Sequence, residues 1–360
     1  HPQMTYYLFL ALGFLFFSEL IRAVQGKTDW KHFGISSGVL AVAFLLGIGM
    51  NSQRIMANSE YVSETVRGKQ ILDNGVHSSE KSGMDNESIL MWSYGKLETL
   101  NLFIPRLMGG SSNEEGSDKM MQKVQEMVQT NVSSQEEMNQ ISKGFGSLTY
   151  WGDQPGTSGP AYQGAIVCFL AILGFFFAWK KYRYWILGAS ILTVLLAWGS
   201  NFMILSDFFI DYIPFYNKFR APSSILVVVE LLFPLIAIVG LYRFFNSNEN
   251  TETSAENILT EDYKKKILTY VTGAVIGITF ILMIFGKSLL GFYTPNEKTY
   301  LPPYLLDFLV DERFNMFRID AIKAIIYVGI AAAVLFLSLK QKINQNIAIV
   351  IIGLVSLFDL

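Results

Sequence analysis

Eight long runs of apolar residues constrain this chain more than any other feature of its sequence. Runs of about 17–23 apolar residues are long enough to cross a hydrocarbon layer of roughly 30 Å as helices. The runs are continuous and lack the alternation of a barrel strand, so helices are the spanning structure that they predict. They are Met4–Val24, Phe33–Met50, Tyr162–Trp179, Tyr184–Ser200, Ser224–Phe245, Ile267–Phe285, Ala321–Leu339 and a truncated run from Ile347 to residue 360. We therefore predict an all-α polytopic membrane protein with about eight transmembrane helices.

The composition excludes several other classes of protein. Charged residues make up 16% of the 360 residues, against about 25% in soluble domains, whose surfaces need that charge. A net charge of −2 lacks the basic patch of a nucleic-acid-binding protein. Cys168 is the one cysteine and the three histidines are scattered, so no disulfide framework, metal site or cofactor is indicated. A requirement for a divalent metal is left open.

The distribution of Lys and Arg predicts how the chain lies in the membrane. Of the 28 such residues, 12 lie in four short loops that total 46 residues, and the other 16 are spread over 170 residues on the opposite side. Cytoplasmic loops are the ones enriched in Lys and Arg. We therefore expect two helices in residues 1–50, an extracytoplasmic loop domain at 51–159, and a bundle of about six helices at 160–360. Segments 201–223 and 291–320 are expected to be interfacial or re-entrant on the outer side.

The long loop is predicted to contain helices of its own. Ser59–Val66 is typical of a short helix that ends before Gly68, and residues 117–143 predict one or two amphipathic helices. Ser134 and Glu137 have the spacing of a capping box. Four apolar side chains form one stripe, which would pack on the membrane surface or on the rest of the loop: Met120, Val124, Met127 and Val128.

Glu230 is the acidic residue that the membrane spans explain least well. It lies inside an apolar run, four residues before Pro234. An intramembrane carboxylate is costly, so it points to a functional site unless a neighbouring helix hydrogen-bonds it. Proline also leaves one backbone carbonyl of its helix without a partner, which favours a polar pocket there.

Several cations lie on the expected outer side, against the general trend. Lys218 and Arg220 come just before an apolar run, and Arg67 and Arg106 lie in the long loop. Arginine binds phosphate bidentately, and the start of a helix adds positive potential. We therefore predict that these four residues bind a lipid phosphate or pyrophosphate. The alternative is ordinary anchoring to lipid headgroups.

Aromatic residues next to carboxylates in the loop favour sugar binding. Trp92, Tyr150 and Trp151 are candidates to stack on a sugar, and Glu98 and Asp153 are candidate catalytic carboxylates. A Gly-Gly-Ser-Ser sequence at 109–112 would let a ligand approach the backbone closely. The alternative is an aromatic lid that packs on the bilayer. No P-loop, nucleophile elbow or zinc-protease motif is present.

The order of these sequences resembles that of a known family. Trp92-Ser93 with Glu98, Ile104-Pro105 with the glycines at 109 and 110, Tyr150-Trp151-Gly152-Asp153 and the segment Asn217–Ser223 are similar to YfhO-type bacterial integral membrane proteins. Tyr61, Arg67-Gly68, the Thr157–Pro160 sequence and the opening His-Pro-Gln-Met-Thr-Tyr-Tyr fit the form found in Bacteroidetes. The similarity runs along the whole chain in order.

The resemblance implies a fold and an activity. That family is grouped with GT-C glycosyltransferases, which take a sugar from a polyprenyl-phosphate carrier at the outer face of the bacterial cytoplasmic membrane. A cell-envelope glycan or lipid would be the acceptor, with membrane lipids as further partners and no nucleic acid. In such enzymes the principal acidic residue usually lies in the first outward loop. Because this chain starts at His1, we expect that residue to lie upstream.

Two other functions stay open at this point. A transporter or flippase of lipid-linked saccharides would use Glu230 and the proline-broken helix as a gate. A non-catalytic envelope-assembly protein would use the long loop as a docking surface. The absence of a second, related half with a matching acidic residue counts against the transporter.

Overall fold

The computed structural model describes residues 2–63, 65, 84–114, 116, 118–144, 146–246 and 259–360. Arg67 and the end of the helix predicted at Ser59–Val66 lie outside these residues. Within them the chain is all-helical, as the continuous apolar runs predict.

Fourteen α-helices are formed by the described residues. In chain order they are α1 Pro2–Val24, α2 Trp30–Met50, α3 Ser52–Ser63, α4 Asn86–Leu90, α5 Asp118–Asn131, α6 Gln135–Gly144, α7 Ala165–Phe177, α8 Lys180–Ala197, α9 Met203–Tyr212, α10 Val227–Phe245, α11 Glu261–Leu290, α12 Pro295–Tyr300, α13 Pro303–Leu339 and α14 Gln345–Asp359. Four short 3₁₀-helices connect them, at Leu97–Leu102, Gly199–Phe202, Tyr216–Lys218 and Pro222–Leu226.

The apolar helices make this a membrane-embedded protein. Among the described residues, five helical segments are long and apolar enough to span a bilayer, and a bent pair makes up to six. The five are α1, α2, α11, α13 and the segment Pro222–Phe245, which joins a 3₁₀-helix to α10. In the bent pair, α8 turns by 115° into the segment Gly199–Tyr212, as expected of a broken or re-entrant element.

Two of the predicted spans form shorter helices. Helix α7 has 13 residues and α14 has 15. At 1.5 Å per residue they are about 20 and 22 Å long, less than the roughly 30 Å of the hydrocarbon layer. The count of eight transmembrane helices therefore stays a prediction.

The helix that contains the seventh predicted span extends beyond that span. Helix α13 begins at Pro303, not near Ala321, and runs for 37 residues without a break. The charged sequence from Asp311 to Arg313 resembles a loop, but Arg313 is fully buried inside this helix. The predicted interfacial segment 291–320 is thus α12 followed by the first half of α13.

Contacts divide the chain into two compact units. The first consists of His1–Tyr94 with Lys180–Val229, and the second of Gly95–Trp179 with Glu230–Leu360. These units do not follow the predicted boundaries at residues 50 and 159. Both units are assembled from segments that lie far apart in the sequence.

In the first unit, α1 packs against α8. Gly188 on α8 lies against the ring of Phe14 on α1, and Tyr7 on α1 and Ile186 on α8 are both buried. Helix α2 contacts α1 and α3 and has no buried residue. Gln3 lies at the start of α1 and is buried.

In the second unit, α7 lies at the centre of the hydrophobic core. It contacts α11, α13 and α14. An acidic side chain lies at its N-terminus and a basic side chain at its C-terminus. Asp359 accepts a hydrogen bond from the backbone N–H of Ile166 at 2.9 Å, and Arg243 donates one to the carbonyl of Phe177 at 3.0 Å. A carboxylate at the N-terminus and a guanidinium at the C-terminus both oppose the helix dipole.

The amphipathic part of the long loop packs on α13. Helices α5 and α6 are separated by a turn in which Glu137 accepts from the N–H of Ser134 at 3.3 Å and donates its own N–H to Ser134 Oγ at 3.2 Å. The predicted capping box is thereby confirmed. The predicted apolar stripe packs against Leu301, just before α13, and against Leu305 and Leu309 near the start of α13.

Candidate functional site

The first unit contains a short cationic segment, which we define as residues 215–221. It consists of the 3₁₀-helix Tyr216–Lys218 between two residues with a left-handed backbone, Phe215 at φ 68° and Ala221 at φ 60°. Side chains with a Cβ disfavour this region, and such strain concentrates at functional sites. Buried Tyr216 fixes the middle of the segment by packing on Phe209, with ring centroids 5.4 Å apart.

Arg220 and Trp92 are brought together in this unit. The guanidinium carbon of Arg220 lies 5.7 Å from the centre of the Trp92 ring, a cation–π distance. Arg220 is exposed and, within the described part of the chain, forms no ion pair. Lys218 lies two residues away, and partial burial lowers the pKa of its ammonium group. Two of the four predicted cations, Arg220 and Lys218, therefore lie in one short segment, and Arg220 contacts one predicted aromatic residue.

The sequence predicted that the start of the following helix adds positive potential to this segment. Its first backbone amides are not available for that. Pro222 has no N–H, the N–H of Ser223 donates to the carbonyl of Trp92 at 3.2 Å, and that of Ser224 donates to the carbonyl of Ala221 at 3.0 Å. These first amides are already used within the chain. The positive charge of the site therefore comes from side chains.

Glu98 is a buried acceptor in the second unit. It is 1% exposed and accepts hydrogen bonds from the N–H of Gly95 at 2.9 Å, the hydroxyl of Tyr150 at 2.9 Å and the amide of Gln154 at 3.0 Å. Desolvation raises the pKa of this carboxyl, and the three donors oppose the rise. Glu98 is inaccessible to an acceptor hydroxyl, and its contacts suit a structural support.

Asp153 is the accessible carboxylate of the same cluster. It is exposed, and its Oδ2 lies so close to Gly95 that a Cβ built there would be 2.9 Å away. Gly95 therefore allows the approach of Asp153, and Glu98 holds Tyr150 and Gln154 by hydrogen bonds. The two predicted catalytic carboxylates are thus neighbours with different environments.

Tyr150 and Trp151 are packed within the protein. Tyr150 is 6% exposed and Trp151 is 8% exposed. The ring of Trp151 lies 4.9 Å from that of Phe292 in the hydrophobic core, and its Nε1 has no hydrogen-bond partner among the described residues. Neither ring offers an open face to a sugar in this arrangement, because protein atoms cover both. Trp92 is the more accessible of the three predicted stacking residues.

Arg106 has an anionic partner within the chain. Its Nε and Nη2 donate to the two carboxylate oxygens of Asp320 at 2.6 and 2.8 Å. This bidentate pair is the arrangement in which arginine binds carboxylate most strongly. Asp320 therefore supplies the anionic partner of Arg106 that a lipid phosphate was predicted to supply.

Other residues of the chain occupy the space beside the Gly-Gly-Ser-Ser sequence. The carbonyl of Thr149 lies against Gly109, and the carboxylate of Glu114 lies against Gly110. The N–H of Ser112 donates to the carbonyl of Thr157 at 2.9 Å. The close backbone approach that these glycines permit is made by the protein itself.

The backbone carbonyl that Pro234 leaves without a partner in its helix accepts a hydrogen bond from another segment. The side-chain amide of buried Gln163 donates to the carbonyl of Glu230 at 3.3 Å, four residues before the proline. The carboxylate of Glu230 is exposed, in the first turn of α10. The polar contact here involves the backbone of Glu230 and not its side chain.

Several residues with polar roles were missed by sequence reasoning. Gln3, Gln154, Glu297 and Asp320 are all at least partly buried and hydrogen-bonded. Within the described residues, no group of three or more His, Cys, Asp or Glu side chains is placed to hold a metal ion. No protein-family model, no curated protein and no solved structure matches this chain.

Proposed function

We propose that this protein is a membrane glycosyltransferase that transfers a sugar from a polyprenyl-phosphate donor to a cell-envelope acceptor. The observation that carries the proposal is the cationic segment. Arg220 is exposed, lies on Trp92 and has no carboxylate partner among the described residues, whereas Arg106 and Arg313 are both paired with acids. An unpaired arginine in a membrane-embedded protein favours an anionic ligand attached to a lipid.

Phosphate is the anion that this segment suits best. The guanidinium of Arg220 presents parallel donors, and Lys218 adds a compact charge beside it. In the reaction, the bond between the anomeric carbon and the phosphate oxygen breaks with its electron pair left on the phosphate. Arg220 and Lys218 would stabilise that developing charge.

Of the two predicted catalytic carboxylates, Asp153 meets the requirement of accessibility and Glu98 does not. The acceptor hydroxyl must lose its proton as its oxygen attacks the anomeric carbon, so the base has to be accessible. Asp153 is exposed and Glu98 is buried under three donors. We assign Glu98 the support of Tyr150 and Gln154, not the chemistry.

The wider setting belongs to the same proposal. We place the protein in a bacterial cytoplasmic membrane, with a GT-C architecture of about eight transmembrane helices and the long loop on the outer side. The Lys and Arg distribution along the sequence supports this orientation.

Transfer of labelled sugar by the full chain in membranes tests the proposal. Polyprenyl-phosphate glucose, galactose and mannose would be offered in turn, with the wild type, Arg220→Ala and Asp153→Asn. Arg318→Ala is the matched control, because Arg318 also lies over an aromatic ring, Phe314, at 5.8 Å. Loss of transfer in the first two variants and retention in the third are expected. Undiminished transfer by Arg220→Ala would refute the phosphate role.

A further inference from the structure

The first turns of α1 contact the cationic segment at both of its ends. The side-chain amide nitrogen of Gln3 lies 2.6 Å from the carbonyl oxygen of Arg220. The hydroxyl of Tyr6 donates to the carbonyl of Pro214 at 3.0 Å. Both contacts join residues more than 200 positions apart, so they are tertiary contacts and not parts of a local turn.

These two carbonyls precede the two strained residues. Pro214 comes directly before Phe215, and Arg220 comes directly before Ala221, the residues with φ 68° and φ 60°. A residue with a Cβ keeps a left-handed conformation only when its surroundings hold it there. The donors on α1 therefore bind the backbone directly beside the two strained residues of the segment.

Gln3 is built into this contact. It is 7% exposed, and its amide nitrogen lies 2.9 Å from Ser224 Oγ and 2.8 Å from the hydroxyl of Tyr7. Ser224 Oγ in turn donates to the carbonyl of Ala221 at 2.7 Å. The carbonyls on both sides of the Ala221 backbone angle are thus tied to Gln3, one directly and one through Ser224.

Tyr6 adds an apolar contact at the same place. Its ring centre lies 5.2 Å from that of Phe219, the residue before Arg220. The opening sequence Gln3-Met4-Thr5-Tyr6-Tyr7 places Gln3 and Tyr7 one helical turn apart, with Tyr6 beside them. One face of α1 thereby contacts the carbonyls of Pro214 and Arg220 and the ring of Phe219.

We propose that Gln3 and Tyr6 are positioning residues that hold the cationic segment in its strained conformation and so present Arg220 and Lys218 to a prenyl phosphate. The proposal rests on the proposed function for the identity of the ligand. The clamp itself, from α1 to residues 214–221, is a separate physical claim about the backbone.

The test uses the purified full chain in detergent and two readouts. The first is the affinity for farnesyl phosphate, with farnesol as the control that lacks the phosphate. The second is hydrogen–deuterium exchange of the backbone amides of residues 215–221. The variants are Gln3→Glu, which keeps the size but removes the donor, Tyr6→Phe, and Gln3→Glu combined with Ala221→Gly.

Gln3→Glu is expected to weaken farnesyl phosphate binding about tenfold, since one buried hydrogen bond and the adjacent strain are both released. Exchange in residues 215–221 should rise, with no change in binding of farnesol. Tyr6→Phe should act in the same direction and more weakly. Ala221→Gly should restore at least half of the lost affinity on a logarithmic scale, because glycine adopts the left-handed backbone without a clamp. A merely structural role for Gln3 would not be rescued at Ala221.

The outcomes separate the two proposals. If the wild type prefers farnesyl phosphate, Arg220→Ala abolishes that preference, and Gln3→Glu and Tyr6→Phe bind like the wild type, the clamp is refuted and the proposed function stands. If the wild type binds farnesyl phosphate no better than farnesol, the proposed function fails. The clamp is then decided by exchange alone: unchanged exchange in Gln3→Glu refutes it, and faster exchange confined to residues 215–221 supports it.

Discussion

Arg313 and Glu297 form a doubly hydrogen-bonded ion pair, with nitrogen–oxygen distances of 2.7 and 2.8 Å, and each residue is 1% exposed. The remaining donors of Arg313 reach the carbonyls of Ser147, Leu148 and Phe292. All five N–H groups of the guanidinium are therefore satisfied. The pair connects α13 to the residues that follow α6 and to α12.

Removing the arginine is expected to destabilise the protein strongly. Arg313→Ala leaves a buried carboxylate without its cation and several carbonyls without donors, which costs about 3–5 kcal/mol. SDS-induced unfolding of the purified protein in mixed micelles would measure the change. Lys287→Ala is the control, because its ion pair with Asp311 is exposed and such pairs contribute about 0–1 kcal/mol. A loss at Arg313 no larger than that at Lys287 would contradict this assignment.

The extent of α13 illustrates what the sequence could not reveal. Each of the eight predicted apolar runs contains a helix, because helix formation in a membrane depends on local composition. Arg313 lies inside a helix because its partners include carbonyls 165 and 166 positions away. No local pattern encodes such partners.

Distance along the sequence also decides which contacts of the candidate site could be predicted. The capping box of Ser134 and Glu137 could be predicted because its two residues are three apart. Asp320 beside Arg106 and Gln3 beside Arg220 are separated by 214 and 217 positions, so the sequence alone showed two similar cations. The structure distinguishes them, since one has an acid partner and the other is exposed.

Glu98 should make stability depend on pH. Its carboxyl has a pKa above the ordinary 4.5, so the folded protein holds this proton more firmly than the unfolded chain does. The stabilising contribution is fully present below pH 4.5 and is lost as the pH rises through the folded pKa. Subtracting the unfolding free energy of Glu98→Gln from that of the wild type should give a difference that falls over this range. A difference that rises with pH would contradict the raised pKa.

The crossing of α7 and α10 should not tolerate a side chain. A Cβ on Gly174 would overlap the carbonyl of Ile236, and Gly240 lies against the backbone of Gly174. Small residues permit such close approach of membrane helices. Gly174→Ala should cost about 1–3 kcal/mol, whereas Gly277→Ala, in open space on α11, should be neutral or stabilise through helix propensity. Equal effects would show that α7 and α10 do not cross at these glycines.

A substitution at Asp153 should lower activity, and one at Glu98 should lower stability. Asp153→Asn removes an exposed carboxylate, so sugar transfer should fall about 100-fold or more with the unfolding midpoint nearly unchanged. Glu98→Ala removes a buried acceptor of three hydrogen bonds, so the unfolding midpoint itself should fall. Parallel transfer and unfolding measurements on both variants would check this. A fully active Asp153→Asn protein would exclude Asp153 as the base.

We propose that the cationic segment binds the phosphate of a prenyl lipid. Calorimetry on the purified full chain would measure its affinity for farnesyl phosphate relative to farnesol, in the wild type, Arg220→Ala and Arg318→Ala. We predict that the wild type and Arg318→Ala prefer farnesyl phosphate and that Arg220→Ala loses the preference, by about 1.5–3 kcal/mol for a charged hydrogen-bond donor. Equal affinities for farnesyl phosphate in the wild type and Arg220→Ala would contradict the account.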